Sequence, residues 1–447
     1  MAQGRFEEAI PVYRALTEAL PDNSGLLLNL AMAETLAGRP KEAVPHLTTV
    51  LKSEPNSVPA LHMLAMARLQ LNQPDLAIAP LKKLLMLTPN DVNARGMLAG
   101  AEMSLQRYRE AAADYRELTR LAPGDAKGWY GLGKAYEALA SSSFEQLNKQ
   151  APQSAYVALL LGDARLQRRQ YRSAFFFYKE AEKQMPELPG LHAGLAAVYE
   201  KTGHADWAAQ EQAKEKSAGP PKPRATPGTP QRLFEDTRYY NQQAVEAFER
   251  LGHLPESVEL HALRAQIAHD HGQDLEAAKE WKAAMAIAPP AEQPRLRVEL
   301  ATSLFLGRDY QNAMPMIRDL LRAEPDSPDY NFMLGESLWR TQQAEQAVPY
   351  LEKALRANPE MLPAHAALGL ALVSLNRYAE AVKHLEKAVQ LDDDGSLHYS
   401  LARAYQALGD QDHARQNMQE YNRIQKQNAE VNGELAKEAE ITGPRPK

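Results

Sequence analysis

Trp129-Tyr130-Gly131-Leu132-Gly133-Lys134-Ala135-Tyr136 decides how this chain folds. Trp129, Leu132 and Tyr136 are spaced to share one face of a helix, and Gly133 beside them leaves room for a second helix to cross closely. The small slot returns upstream at Ala31, Ala65 and Ala99, 34 residues apart, and elsewhere at Gly162, Gly335, Gly369 and Ala402. A second pattern alternates with it: Ala43, Leu47, Pro55; Ala77, Leu81, Pro89; Ala111, Tyr115, Pro123. A fixed period of this length is the mark of a stacked repeat, in which each unit buries its bare face against its neighbours.

The second pattern continues at Ala174, Tyr178, Pro186; Ala277, Trp281, Pro289; Ala313, Ile317, Pro325; Ala347, Leu351, Pro359; and Ala381, Leu385, with Asp393 in place of the last proline. Leu401, Ala402, Tyr405, Gly409, Ala414 and Met418 form the last unit, giving about eleven units in all. The run Gly4, Ala9, Tyr13, Leu16, Pro21 is a second helix without a first, which leaves Tyr13, Leu16 and Leu20 open to water or to another copy. On this reading the natural solenoid starts upstream of Met1. Pro11, Pro45, Pro315 and Pro349 share one repeat position just past the first helical turn, where a lost hydrogen bond costs little.

These residues resemble the tetratricopeptide repeat (TPR) family, of the bacterial multi-repeat type: W-x2-L-G-x2-Y on helix A, then A-x3-F and Pro on helix B. The resemblance implies an all-α, right-handed superhelical solenoid of antiparallel helix pairs. Two places break the period. After Tyr136 the fourth unit is about five residues short, so its Ala140-Ser141-Ser142-Ser143 stretch should shorten the turn or fuse two helices. Residues 217–231 hold Pro220, Pro221, Pro223, Pro227 and Pro230 without a large apolar side chain, which reads as an extended linker. The expected organisation is therefore an array over 1–216 (a half repeat and about six units, one shortened near 137–154), the linker 217–231, an array over 232–424, and a polar capping helix and tail over 425–447. Phe144-Glu145-Gln146-Leu147 is echoed by Phe248-Glu249-Arg250-Leu251, which places Tyr239, Tyr240, Ala244 and Phe248 on one long helix.

Composition limits the function. The net charge is -6, with basic and acidic residues nearly balanced up to residue 216 and acid in excess after residue 232, so a phosphate backbone would be repelled there and nucleic acid is not an expected partner. Without cysteine there is no disulfide, thiolate nucleophile or Cys-ligated zinc. The residues from Met1 do not read as a basic-then-apolar signal segment, and no uncharged apolar run of about 18 residues that could span a bilayer is seen. As written the chain is expected to be soluble and cytoplasmic, or periplasmic if an upstream signal segment is missing.

No catalytic constellation, phosphate loop or strand pattern stands out, so the expectation is a non-enzyme with no cofactor and no metal. His269-Asp270-His271 is the one local histidine cluster. Its histidines point different ways on a helix and read as a helix end beside Gly272 rather than a metal site.

The resemblance implies that function lies on the concave face lined by helix A. Its groove positions are Leu28, Met32, Met66, Leu69 and Met103 in the first array, and Val298, Phe305, Phe332, Trp339, Leu370 and Val373 in the second. Tyr130 and Lys134, with Glu137, Tyr156, Asp163 and Glu200, form a more polar stretch between them. The slots that clamp a terminal carboxylate in chaperone-binding members hold Leu28, Met32, His62, Met66, Gly96 and Gly100 here, so a carboxylate clamp is not expected. A Met-and-aromatic groove suits a peptide or amphipathic helix of another protein, although the same side chains could instead be buried by curvature. The implied role is a non-catalytic scaffold. Alternatives are a periplasmic or outer-membrane assembly factor and the regulatory arm of an enzyme complex, with self-association through the incomplete first repeat. In Phe175-Phe176-Phe177-Tyr178, Tyr178 should fill the core, Phe175 face the next unit, and Phe176 and Phe177 point outward.

Overall fold

The computed structural model describes residues 5–217, 225–438 and 441–444. Among them are twenty-three α-helices and one short 3-10 helix, and no strand. The helices are α1 (Phe6–Ala19), α2 (Ser24–Leu36), α3 (Pro40–Ser53), α4 (Val58–Gln70), α5 (Pro74–Leu87), α6 (Val92–Ser104), α7 (Tyr108–Leu121), α8 (Ala126–Gln150), α9 (Ala155–Gln167), α10 (Tyr171–Gln184), α11 (Leu191–Lys201) and α12 (Ala205–Ser217). After residues 218–224 follow α13 (Pro230–Gly252), α14 (Val258–Asp270), α15 (Asp274–Ile287), α16 (Gln293–Leu306), α17 (Tyr310–Ala323), α18 (Pro328–Arg340), α19 (Ala344–Ala357), α20 (Leu362–Ser374), α21 (Tyr378–Ala388), α22 (Ser396–Ala407) and α23 (Gln411–Glu438).

The chain forms two compact units: Met1–Val157 with Lys222–Leu260, and Ala158–Pro221 with His261–Lys447. Residues 218–224 of the Pro-rich linker expected over 217–231 lie outside the described residues, as does Gly4.

Each slot of the repeat has a job. At the tight turn from the first to the second helix, Gly38, Asn72 and Gln106 are left-handed at φ 76°, 54° and 58°, as are Arg308, Gln342 and Asn376. Left-handed backbone at this point ends one helix and reverses the chain into the next. In four units the slot of Trp129 donates to the carbonyl of the preceding Pro, through four different residue types: Arg95 to Pro89 at 3.0 Å, Trp129 to Pro123 at 2.8 Å, Asn331 to Pro325 at 3.0 Å and His365 to Pro359 at 3.0 Å. In those units the bond ties the incoming loop to the helix it starts.

The small slot is set by contact. A β-carbon on Gly162, Gly335 or Gly369 would lie 2.6 Å from Tyr178, Leu351 or Leu385, and these large residues are fully buried. Tyr178 is held between Gly162 and Gly194, and Phe175 reaches Tyr199 on α11 at 5.9 Å, while Phe176 is exposed, as its position in the aromatic run implies. Pro11, Pro45, Pro315 and Pro349 each occupy the sixth residue of their helix, so each forgoes one intrahelical bond rather than a donor that was free anyway. Leu16 on α1 and Leu20 just past its end are exposed, as is Val12, whereas Tyr13 is not open but packs on the core of Ile10, Leu30 and Ala33.

The period breaks at α8 because its turn is gone. The left-handed positions 38, 72 and 106 lead to Ala140, which is buried inside a continuous helix. Ser143 fits that helix by donating to the Leu139 carbonyl at 2.9 Å. The serine stretch thus removes the turn and carries α8 on as one continuous helix. Leu233 to Leu251 likewise forms one helix, α13, carrying Tyr239, Tyr240, Ala244 and Phe248. The second helix of the fourth unit is not the C-terminal half of α8, however. It is α13: Phe248 lies on Gly133, Tyr240 stacks on Tyr136 at 6.1 Å, and Ala244 and Ala247 join the core of Ala111, Leu132 and Tyr136. One repeat is therefore built from segments more than a hundred residues apart in sequence.

Candidate interaction surfaces

All thirteen groove residues lie on first helices of pairs: Leu28 and Met32 on α2, Met66 and Leu69 on α4, Met103 on α6, Tyr130 and Lys134 on α8, Val298 and Phe305 on α16, Phe332 and Trp339 on α18, Leu370 and Val373 on α20. Twelve are half-buried, and Val373 is buried within its own core cluster. Met32 and Met66 share a repeat position, which Lys134 fills two units later. Phe305, Trp339 and Val373 share another. An apolar side chain at a fixed period on parallel neighbouring helices forms a row.

In the first unit, Leu28, Met32 and Met66 pack on the core around Leu47, Leu69 packs on the core around Leu81, and Met103 on the core around Tyr136. In the second unit, Phe305 and Phe332 meet edge to face at 6.0 Å, and both rest with Trp339 and Leu370 on one core. Arg340 covers the Trp339 ring at 4.3 Å, and the indole N–H reaches Ser374 Oγ at 3.5 Å. Each of these residues keeps one side in contact and one side toward solvent.

The polar stretch is engaged in its own bonds. Lys134 pairs with Glu137 at 2.5 Å, and the Tyr178 hydroxyl donates to Asp163 at 2.8 Å. Tyr130 approaches Phe248 at 6.5 Å and Tyr156 approaches Phe234 at 5.0 Å. His269 pairs with Asp274 and His271 with the Gln167 carbonyl, so the two histidines serve separate contacts. Among the described residues no three His, Asp or Glu side chains form a metal-ligand group, and no helix is long and apolar enough to cross a membrane.

Buried polar groups recur in the slot that Tyr136 fills in the fourth unit. Arg116 donates to the Tyr136 hydroxyl at 2.5 Å. In other units the slot holds Glu34 and Glu102, both buried, each facing a basic residue of the preceding helix at 3.8 Å, Arg14 and Lys82. Burial, with the Asp114 carboxylate beside it, pushes Glu102 up to about 7. The charge in these slots couples successive units and does not converge on a catalytic geometry.

Sequence reasoning missed two features. One is a cleft of about 420 Å3 walled by α7, α8 and α13, where Arg116, Trp129, Glu246, Arg250 and His253 converge. It exists because α13 completes the fourth repeat, and the Ala244-x3-Phe248 spacing was its only local signal. The other is a set of exposed apolar residues on second helices and turns, including Met86 at 81% exposure, Leu76 and Ile287.

Comparison with known proteins bears on the repeat. Tetratricopeptide repeat models match residues 1–64, 34–101, 97–142 and 366–429, and the model of anaphase-promoting complex, cyclosome, subunit 3 matches residues 307–388. A search of curated protein sequences returns no match. Similar solved structures include MamA 41-end from Desulfovibrio magneticus RS-1 and the MamA RS-1 ArsTM double mutant. Each is 21% identical, covers 39% of this chain and 97% of its own, and has a TM-score of 0.34. A third, MamA MSR-1 C2, is 20% identical, with coverages of 38% and 98% and a TM-score of 0.33. With the slot residues, the helix pairs and the matched models in agreement, the chain belongs to the tetratricopeptide repeat family.

Proposed function

We propose that this protein is a non-catalytic protein-interaction scaffold whose first-helix faces hold peptide or helical segments of other proteins. The observation that carries the reading is the half-buried apolar row, Met32 and Met66 in one unit and Phe305, Phe332 and Trp339 in the other. Such a row has one side fixed by packing, so its shape is preformed, and one side left to bury on a partner. Methionine adapts to different apolar contours, and Phe and Trp offer large contact areas with few rotatable bonds. An amphipathic helix fits this chemistry, since its apolar side chains also recur along one face.

A photoreactive benzoylphenylalanine placed at Phe332 tests the proposal in the living cell. Crosslinks to a defined partner segment from position 332, and none from the exposed Met86, would support it. Equal crosslinking from both positions would remove the distinction on which the reading rests.

A further inference from the structure

The described C-terminal residues, Ile441 to Pro444, carry no helical period, yet three in succession are anchored on the α11–α12 pair. Ile441 lines an open cleft of about 890 Å3 with Tyr171, Arg172, Thr202 and His204. The Thr442 carbonyl accepts a 2.7 Å hydrogen bond from the Tyr199 hydroxyl. Gly443 lies against Trp207 so closely that a β-carbon there would come within 2.9 Å of the indole ring.

The receiving surface is built rather than incidental. Tyr199 is fully buried on α11, between Phe175 and Trp207 at 5.9 and 5.5 Å, and burial raises the affinity of its hydroxyl for its proton. A phenol kept protonated in such surroundings needs an acceptor, and the Thr442 carbonyl is one. Trp207 is fixed in orientation by His204 stacked on it at 4.3 Å. Its half-exposed ring admits a residue without a side chain, and glycine provides that. Pro444 then favours an extended backbone at the residue before it, the form a peptide takes in a cleft.

The chain leading to this segment is tied down as well. On α23, Gln425 and Asn428 donate to the carbonyls of Asp394 and Asp393 at 2.6 and 2.7 Å, and Tyr421 meets Tyr399 at 5.5 Å. The tail is thus tethered from a fixed point.

The geometry points to a second binding site, separate from the first-helix rows: a peptide cleft at Tyr199, His204 and Trp207 that takes an extended aliphatic-Thr-Gly-Pro segment and is filled in cis by Ile441–Pro444. A tether raises the local concentration of such a segment to the millimolar range, so a free peptide of the same chemistry competes poorly while the tail is seated.

The absence of cysteine allows a clean test on the full chain. Lys447→Cys labelled with bimane reports proximity to Trp207 by quenching. The expected result is quenched emission independent of protein concentration, relieved at least twofold by Trp207→Phe, by Gly443→Val and by Tyr199→Phe. Circular dichroism confirms that each variant is folded. A fluorescein-labelled peptide of residues 440–447 should bind the Gly443→Val chain at least tenfold more tightly than the wild type. Equal emission in all four chains, quenching lost on dilution or on mixing with unlabelled chain, or equal peptide affinity in both backgrounds would each overturn the proposal.

Discussion

Gly133 on α8 and Phe248 on α13 are packed so closely that a β-carbon at Gly133 would lie 2.2 Å from the phenyl ring. In the regular units the same relationship joins residues sixteen apart, such as Gly335 and Leu351. Here it joins the two helices of a repeat across everything that α9 to α12 contribute, so the fourth unit cannot be completed until the chain returns.

This pairing predicts that Gly133→Ala destabilises the first unit by about 1–3 kcal/mol, the usual range for overpacking a filled core. Gly124→Ala is the control, because nothing lies within 4 Å of a β-carbon there. Urea denaturation of both variants checks it. Equal midpoints would mean that α13 does not seat on α8.

A pH-dependent contribution follows from the histidine pair on α20 and α21. A prolyl carbonyl can only accept, so His365 Nε2 carries the proton donated to Pro359, and His365 Nδ1 accepts from His384 Nδ1 at 2.8 Å. Burial, and next the neighbouring His365, depress the His384 pKa. The folded state therefore holds His384 neutral while the unfolded chain takes up a proton near its ordinary value of about 6.5, so stability is lost as pH falls through that value. His192 has the opposite sign: its bond to Glu211 raises its pKa, and the stability it adds below about 6.5 is lost as pH rises through the raised value. Thermal melts between pH 5 and pH 8 should show the wild-type advantage over His384→Asn shrinking toward acid pH, and that over His192→Asn shrinking toward alkaline pH.

The turn geometry makes a prediction of the other sign. Gln342 is held at φ 64°, where a β-carbon is strained and glycine is not. Gln342→Gly should raise stability by about 1 kcal/mol after the entropy lost by the added freedom of glycine. Gly38→Ala, at φ 76° in the equivalent turn, should lower it by a similar amount. Calorimetric melting of the two variants against wild type tests the pair.

The repeat was legible because its signals are local. A proline, a small residue and a large residue at fixed offsets each answer to contacts within one helix pair, as Pro359, Gly369 and Leu385 do. The partner of Gly133 was not legible in that way: the residue sixteen positions on is Lys149, and nothing near Gly133 names Phe248. The echo between Phe144–Leu147 and Phe248–Leu251 marked both long helices but not that they pair. For the groove, spacing placed Met66, Phe332 and Trp339 on first helices, while their half-burial depends on neighbouring units that a single motif does not describe. The seat of Ile441–Pro444 left no periodic trace, since an extended segment bound through one carbonyl and one glycine has none.

The scaffold reading is tested most directly by quantitative affinity capture with the full chain, comparing wild type with Met66→Glu and Trp339→Glu after each variant is shown to melt like wild type. A carboxylate placed in the half-buried row would be desolvated on partner binding, so the account predicts at least a tenfold loss of a common partner in one or both variants. Undiminished capture by both, at unchanged stability, would contradict it and leave the row as packing alone.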